Sequence, residues 1–261
     1  MHGNFAWVIV LVSICLAAGC NLSSLEDRIV VPDVEDEFYL DLWESLTPQG
    51  RFLEFRLRTI ENEDCLNASI DHEIRQVQGN IALSINEVQQ SQECVPGQAP
   101  ASANARVGIL QSGFYTVEVG LRKTVSTKGQ LILTPDNYNL SLDSGGGVVL
   151  LHSQLKRIPE QSIWGYVSYE NDGLKDVAQN LVQDILARCE LQSLKNGYYG
   201  YFTIEDGTLR LPNTVAPEGA FSFQYRLVES KENIQALLES YRSEYGDQLT
   251  VKVFNTLGEE W

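Results

Sequence analysis

From Arg51 onward the chain alternates, and that alternation limits its fold more than any other feature. Leu53, Phe55 and Leu57 are interleaved with Glu54, Arg56 and Arg58. Ile81, Leu83 and Ile85 are interleaved with Ala82, Ser84 and Asn86. Tyr115, Val117, Val119 and Leu121 are interleaved with Thr116, Glu118 and Gly120. Side chains two residues apart share a face of a strand, so this period predicts half-buried β-strands. Gln130–Thr134 and Tyr138–Leu142 follow, joined by Pro135-Asp136-Asn137, a turn signal. Val148–His152 is a further apolar run after three glycines. Short strands at close intervals predict an antiparallel sandwich over residues 48–158. Glu87–Arg106, with Pro96, Gly97 and Pro100, reads as a long loop.

The pattern changes near Pro159. Ile163–Tyr169 is an aromatic strand. Leu174, Val177, Ala178, Leu181, Val182, Ile185 and Cys189 then fall at helical spacing, with Asp172 as a cap. Tyr198–Leu211 is broken by Glu205-Asp206-Gly207, a hairpin signal. Phe221–Leu227 is a strand, Ser230 caps a second helix through Tyr245, and Leu249–Phe254 is a last strand. Residues 159–261 therefore read as a small α+β domain, with two helices on one face of an antiparallel sheet. The expected class is mainly β: an N-terminal sandwich, then this layer.

The N-terminus gives an address. Phe5–Ala18 is uncharged and apolar, too short to span a bilayer as a helix but of signal-peptide length. It closes on Leu16-Ala17-Ala18-Gly19-Cys20. Small residues directly before a cysteine resemble the lipobox of bacterial lipoproteins. The resemblance implies removal of residues 1–19, acylation of Cys20 and a lipid anchor. Asn21, in place of the Asp that retains such proteins in the inner membrane, implies the outer membrane. Residues 20–47, rich in acidic side chains, read as a tether, with Phe38–Trp43 apolar enough to dock on the domain behind it.

Between a strand and Gly113-Phe114-Tyr115 lie Cys94, a Pro/Gly loop and the Ala-rich 99–105. This pattern resembles the immunoglobulin-like sandwich of uncharacterised Gram-negative envelope lipoproteins. The resemblance covers roughly residues 50–150 and implies no particular activity. In an oxidising compartment Cys65 and Cys94 are expected to pair, closing a loop worth about 3 kcal/mol.

A net charge of −16 argues against nucleic acid and against electrostatic docking on anionic lipid. His72-Glu73 opens like a zinc-protease motif, but Gln76 stands where the second histidine must be. His152 reads as a satisfied edge residue, and Cys189 as a small hydrophobe on a helix face. No catalytic residue, metal site or cofactor is therefore assigned. Trp164, Tyr166, Tyr169, Tyr199 and Tyr201 are the binding candidates, since exposed aromatic rows stack on sugars or mark protein interfaces. The leading expectation is a lipid-anchored, non-enzymatic module that binds an envelope protein or a glycan. The alternatives are a hydrolase using paired carboxylates in an interdomain cleft, and a structural subunit assembling through an open strand edge.

Overall fold

The computed structural model describes residues 35–261. The expected signal peptide, the expected acylation site Cys20 and the first part of the expected tether lie outside the described residues. The rest of that stretch is a strand. In β1 (Phe38–Thr47) the inward positions Phe38, Leu40 and Leu42 are buried, and Tyr39, Asp41 and Trp43 face outward. Apolar side chains at every second position make a buried sheet face, so this segment joins the core and does not lie as a solvated tether.

Eleven more strands complete the N-terminal part. They are β2 (Gly50–Thr59), β3 (Glu63–Cys65), β4 (Ser69–Val77), β5 (Asn80–Gln89), β6 (Pro96–Ala99) and β7 (Ser102–Gly108), then β8 (Gly113–Leu121), β9 (Val125–Leu133), β10 (Asn137–Leu142), β11 (Val148–Leu150) and β12 (Gln154–Lys156). With β1, nine of them form a ten-stranded sheet in the order β11-β1-β2-β7-β4-β5-β8-β9-β10-β12. Between β7 and β4 the only pairing is Ser69 opposite Ser102. The sheet is thus two halves, of four and six strands, hinged at one corner and folded over a shared core. That core takes Leu53, Phe55 and Leu57 from one half, and Leu83, Val117, Leu131 and Tyr138 from the other.

The mainly β, sandwich-first reading holds, with two refinements. First, β1–β11 and β5–β8 are parallel pairs, so the sandwich is not antiparallel throughout. Second, the stretch read as a loop contains β6 and β7. Strand β6 pairs with β3 in a two-stranded flap, and β7 pairs with β2 from Leu53 to Arg58. In β7 (SANARVG) only Ala105 is fully buried. Small and polar residues carry little apolar periodicity, which is why the pattern is faint. Cys65 and Cys94 sit 5.3 Å apart at Cα as a disulfide and pin this flap.

The C-terminal part is built from β13 (Ser162–Tyr169), α1 (Lys175–Leu186), β14 (Cys189–Leu191), β15 (Gly197–Tyr198), β16 (Thr203–Glu205), β17 (Thr208–Arg210), β18 (Phe221–Leu227), α2 (Lys231–Tyr245) and β19 (Leu249–Asn255). The sheet order β14-β18-β13-β19, antiparallel throughout, is the split βαβ arrangement of ferredoxin-like folds. Ala178, Leu181, Val182 and Ile185 of α1, with Ile234 and Leu238 of α2, bury against Ile163, Val167, Phe223 and Val253 on one sheet face. Two local details depart from the sequence reading. Asp172 lies in a 3₁₀ turn capped by Asn171, and α1 ends at Leu186, so Cys189 opens β14 instead of lying on the helix. The final residue docks: Trp261 exchanges two backbone hydrogen bonds with Val253 and covers the edge of β19.

Between β14 and β18 the chain inserts the three-stranded unit β15-β16-β17. Its tight turn puts Asp206 at φ 49° and Gly207 at φ 73°, the left-handed pair that an Asp-Gly hairpin demands. This insertion packs on the helix-free face of the sheet. A third cluster forms there from Trp164, Tyr199, Phe202 and Ile204, together with Leu46 of β1 and Ile158. The sandwich and the α+β layer therefore share a core across the boundary drawn at residue 159. Among the described residues no helix is long and apolar enough to cross a membrane.

Candidate functional site

The five aromatic candidates do not form an exposed row. Trp164 is 2% exposed, Tyr166 4% and Tyr199 5%. Trp164 packs against Tyr201, Phe202 and Phe254. Tyr201 is partly buried and donates its hydroxyl to no carboxylate; it accepts from the Leu46 amide at 3.2 Å. Tyr169 packs against Phe221 beside the helices. The structure thus brings Trp164, Tyr199 and Tyr201 together, but as interior packing. Burying a ring of this size stabilises a fold by about 2–3 kcal/mol, which explains their place in the pattern without a ligand.

The insertion that buries them reaches over the outer face of β1 and β2, and a denser group of polar side chains lies there. The strand register puts Tyr39 opposite Arg58, Asp41 opposite Arg56 and Trp43 opposite Glu54. All point outward, because their neighbours Leu40, Leu42, Phe55 and Leu57 point in. The Tyr198 hydroxyl donates to Asp41 Oδ2 at 3.0 Å, and His152 Nδ1 lies 3.0 Å from Asp41 Oδ1. The two rings stack at 3.8 Å between centroids. Arg56 places its guanidinium 3.2 Å from the centre of the Trp43 ring, and Tyr201 leans on the same indole at 4.4 Å. Arg58 lies over Tyr39 at 5.3 Å.

Burial governs the electrostatics of this group. It holds the Arg56 guanidinium below its ordinary value, against the pull of Tyr198, Tyr201, Glu54 and Asp41. It pushes the Tyr198 phenol well up, and the hydrogen bond to the Asp41 carboxylate adds to the shift. Tyr198 is therefore a neutral donor at any physiological pH. Asp41 holding a histidine is half of a general-base arrangement. Among the described residues, however, no serine or cysteine side chain hydrogen-bonds His152. The strand expected to end at His152 stops at Leu150, and His152 lies beyond it, exposed, with Asp41 as its partner.

A second polar group lies just beneath and faces inward. Glu44 is 3% exposed, and accepts from Tyr138 at 2.9 Å, Arg157 Nε at 2.8 Å and Arg51 Nη1 at 3.1 Å. Arg51 also donates to the Ile158 carbonyl at 2.6 Å. These contacts bridge β1 to β10 and to the segment after β12, across the open side of the sandwich. Every oxygen of the carboxylate is used, so this is a structural clamp with no room for a substrate.

The places required by the other readings look different. The cleft between the sandwich and the insertion is about 150 Å³ and is lined by Lys156, Arg157 and Lys195 with one carboxylate, Asp136. It lacks the carboxylate pair of a glycoside hydrolase. A larger, polar cleft of about 390 Å³ lies at one end of the α+β sheet, with Glu170, Asp172, Glu218 and Asp247 on its walls. The long strand with an outward edge is β4, where Asp71, Glu73 and Arg75 are spaced along the strand and a bulge falls at Asp71/His72. Charges and a bulge are what keep an edge from pairing with another chain. His72 lies on this strand, and its Nδ1 faces the Ile70 carbonyl at 3.0 Å.

The sequence reading did not single out Arg56, Arg58 or Asp41. A signal was present: two arginines at alternate positions in a strand of an otherwise strongly acidic chain. Compared with protein-family models, curated protein sequences and solved structures, the chain has no significant match.

Proposed function

We propose that this is a lipid-anchored protein of the cell envelope, held at the outer membrane through Cys20, that works by binding a glycan or a protein and not by catalysis. The observation carrying the binding part is the outward face of β1 and β2. Two arginines lie there on aromatic rings, beside an Asp–His–Tyr group and partly roofed by the insertion. Rigid aromatic and guanidinium groups at the edge of a hydrophobic core are the residues that dominate recognition surfaces. The lipobox-like Leu16–Cys20 supports the anchor. The acidic surface supports attachment by lipid instead of by a basic patch.

Two experiments test the two halves. Cys20→Ala is expected to release the protein from membranes into the soluble fraction; a variant that stays membrane-bound refutes the lipid anchor. Capture of partners from the native envelope by the intact protein is expected to fail for Arg56→Gln/Arg58→Gln. Equal capture by that variant refutes the assignment of the binding face.

A further inference from the structure

We infer that the outer face of β1 and β2 is a site for an acidic sugar: Arg56 and Arg58 take the carboxylate of a uronate-type glycan, with the exposed His152 ring on the rim for a hydroxyl. The inference deepens the proposed binding role and rests on it.

The starting point is a mismatch in pairing. Every other arginine among the described residues holds a carboxylate or a backbone carbonyl. Among the same residues, Arg56 and Arg58 hold neither. Shortage of acceptors is not the reason, because the chain carries 35 acidic residues against 19 basic ones. The nearby carboxylates are committed elsewhere. Asp41 takes Tyr198, His152 and the Leu42 amide, and Glu54 takes Arg106 through two nitrogens. Arg56 Nε is buried without a hydrogen-bond partner. A buried donor without an acceptor is costly, and native proteins rarely leave one without a use.

The geometry then selects the ligand. Arg56 sits partly buried on Trp43, and Arg58, at an exposed position, lies over Tyr39, so two guanidinium groups without a carboxylate stand side by side on one strand face. A fixed planar fork matches a carboxylate through two parallel hydrogen bonds. Residues two apart in a strand stand about 6.5–7 Å apart, the reach of a substituted sugar ring and its neighbour. Asp41 beside the forks repels a ligand that is densely anionic. Its own oxygens are held by Tyr198, His152 and the Leu42 amide, while the exposed His152 ring, bound to Asp41 through Nδ1, turns its other nitrogen to the polar rim. A ligand with one acid group per unit, otherwise uncharged and hydroxylated, matches two arginines beside one repelling carboxylate and an exposed imidazole.

The test uses the full chain with ¹⁵N-labelled arginine side chains, titrated with tetragalacturonate. The Arg56 and Arg58 Nε–H signals are expected to shift saturably, and an uncharged maltotetraose to leave them in place. Arg58→Gln, at an exposed position, and Arg56→Lys, which keeps charge but loses the fork, are each expected to weaken binding about tenfold or more. A thermal midpoint matching the parent shows that the variant is folded. No shift at millimolar tetragalacturonate overturns the inference, as does unchanged affinity in both variants. Equal binding of inorganic phosphate or of an acidic peptide overturns the sugar class. Shifts produced without ligand by Glu26→Gln/Asp27→Asn/Asp33→Asn identify the chain's own acidic segment as the occupant, and also overturn it. A failed titration alongside a partner captured from the envelope removes the sugar and keeps the binding role; failure of both removes both.

Discussion

Replacing Glu44 with Gln keeps the shape of the inward clamp and removes its charge. Three donors converge on that side chain in a setting 3% open to solvent. The amide still accepts through one oxygen, but its NH₂ faces donors where the second oxygen faced them before. Arg157 and Arg51, whose side chains are 22% and 12% exposed, then share a site whose remaining counter-charge is the exposed Glu160. Breaking a buried pair from one side costs about 3–5 kcal/mol. Arg51 keeps the Ile158 carbonyl and Glu160, and Arg157 has some access to water, so the lower end applies, about 3 kcal/mol. For a chain of this size that corresponds to a fall of about 6–12 °C in the unfolding midpoint. Chemical denaturation followed by tryptophan fluorescence measures it directly. A second variant separates charge from packing: Glu44→Leu/Arg51→Met/Arg157→Met with Tyr138→Phe removes the whole set, and is expected to recover most of the loss. A loss below about 1 kcal/mol for Glu44→Gln, or a quadruple variant worse than the single one, refutes the clamp.

Three further outcomes are expected. Cys65→Ser/Cys94→Ser opens the flap and costs about 3 kcal/mol, seen as a lower denaturation midpoint; mass spectrometry finding both thiols free in protein taken from the envelope contradicts the pairing. Gly165→Ala places a methyl 2.0 Å from the Lys252 carbonyl oxygen in the middle of the α+β sheet, so it is expected to cost about 3 kcal/mol or more; a soluble variant with parental stability refutes that packing. Burial, aided by Glu229, pushes the Cys189 thiol up to about 11. Its protonated form is favoured in the fold, so this contribution is present below the ordinary thiol value and is lost as pH rises toward 11. At pH 8 the folded thiol is expected to react with iodoacetamide about a hundredfold more slowly than in denaturant; comparable rates refute its burial.

The residues announce some of this fold and conceal the rest, for physical reasons. Strands with one buried and one wet face, such as β2, β5 and β8, show a clean period of two. So do the helices at 3.6, and Asp206-Gly207 marks its turn because few other pairs tolerate that backbone. Strand β1 is masked by Glu44, a charged residue at an inward position, and by acidic residues around it. Strand β4 is an edge whose burial is slight, so selection for alternation is weak. The arginine face is concealed differently. Its meaning lies in which carboxylates are already taken, by Tyr198, His152 and Arg106, and those partners are up to 157 residues away. Aromatic rows were misleading because the same rings that make good contact surfaces also make good cores, and only the position of the insertion decides between the two.

Strand β1 also bears on how the chain acquires its structure. It is the first strand of the described residues, yet its parallel neighbour is β11, about a hundred residues later, and its outer face is completed by Tyr198 and Tyr201. Contacts this distant in sequence make folding slow, because a large loop must close before they form. Strand β1 pairs at once with β2 through a short turn, but its other edge and its outer face are completed only when most of the polypeptide is present. A chain halted before residue 200 would keep Trp43 and the arginines bare, and would offer an unfinished apolar margin to quality-control proteases.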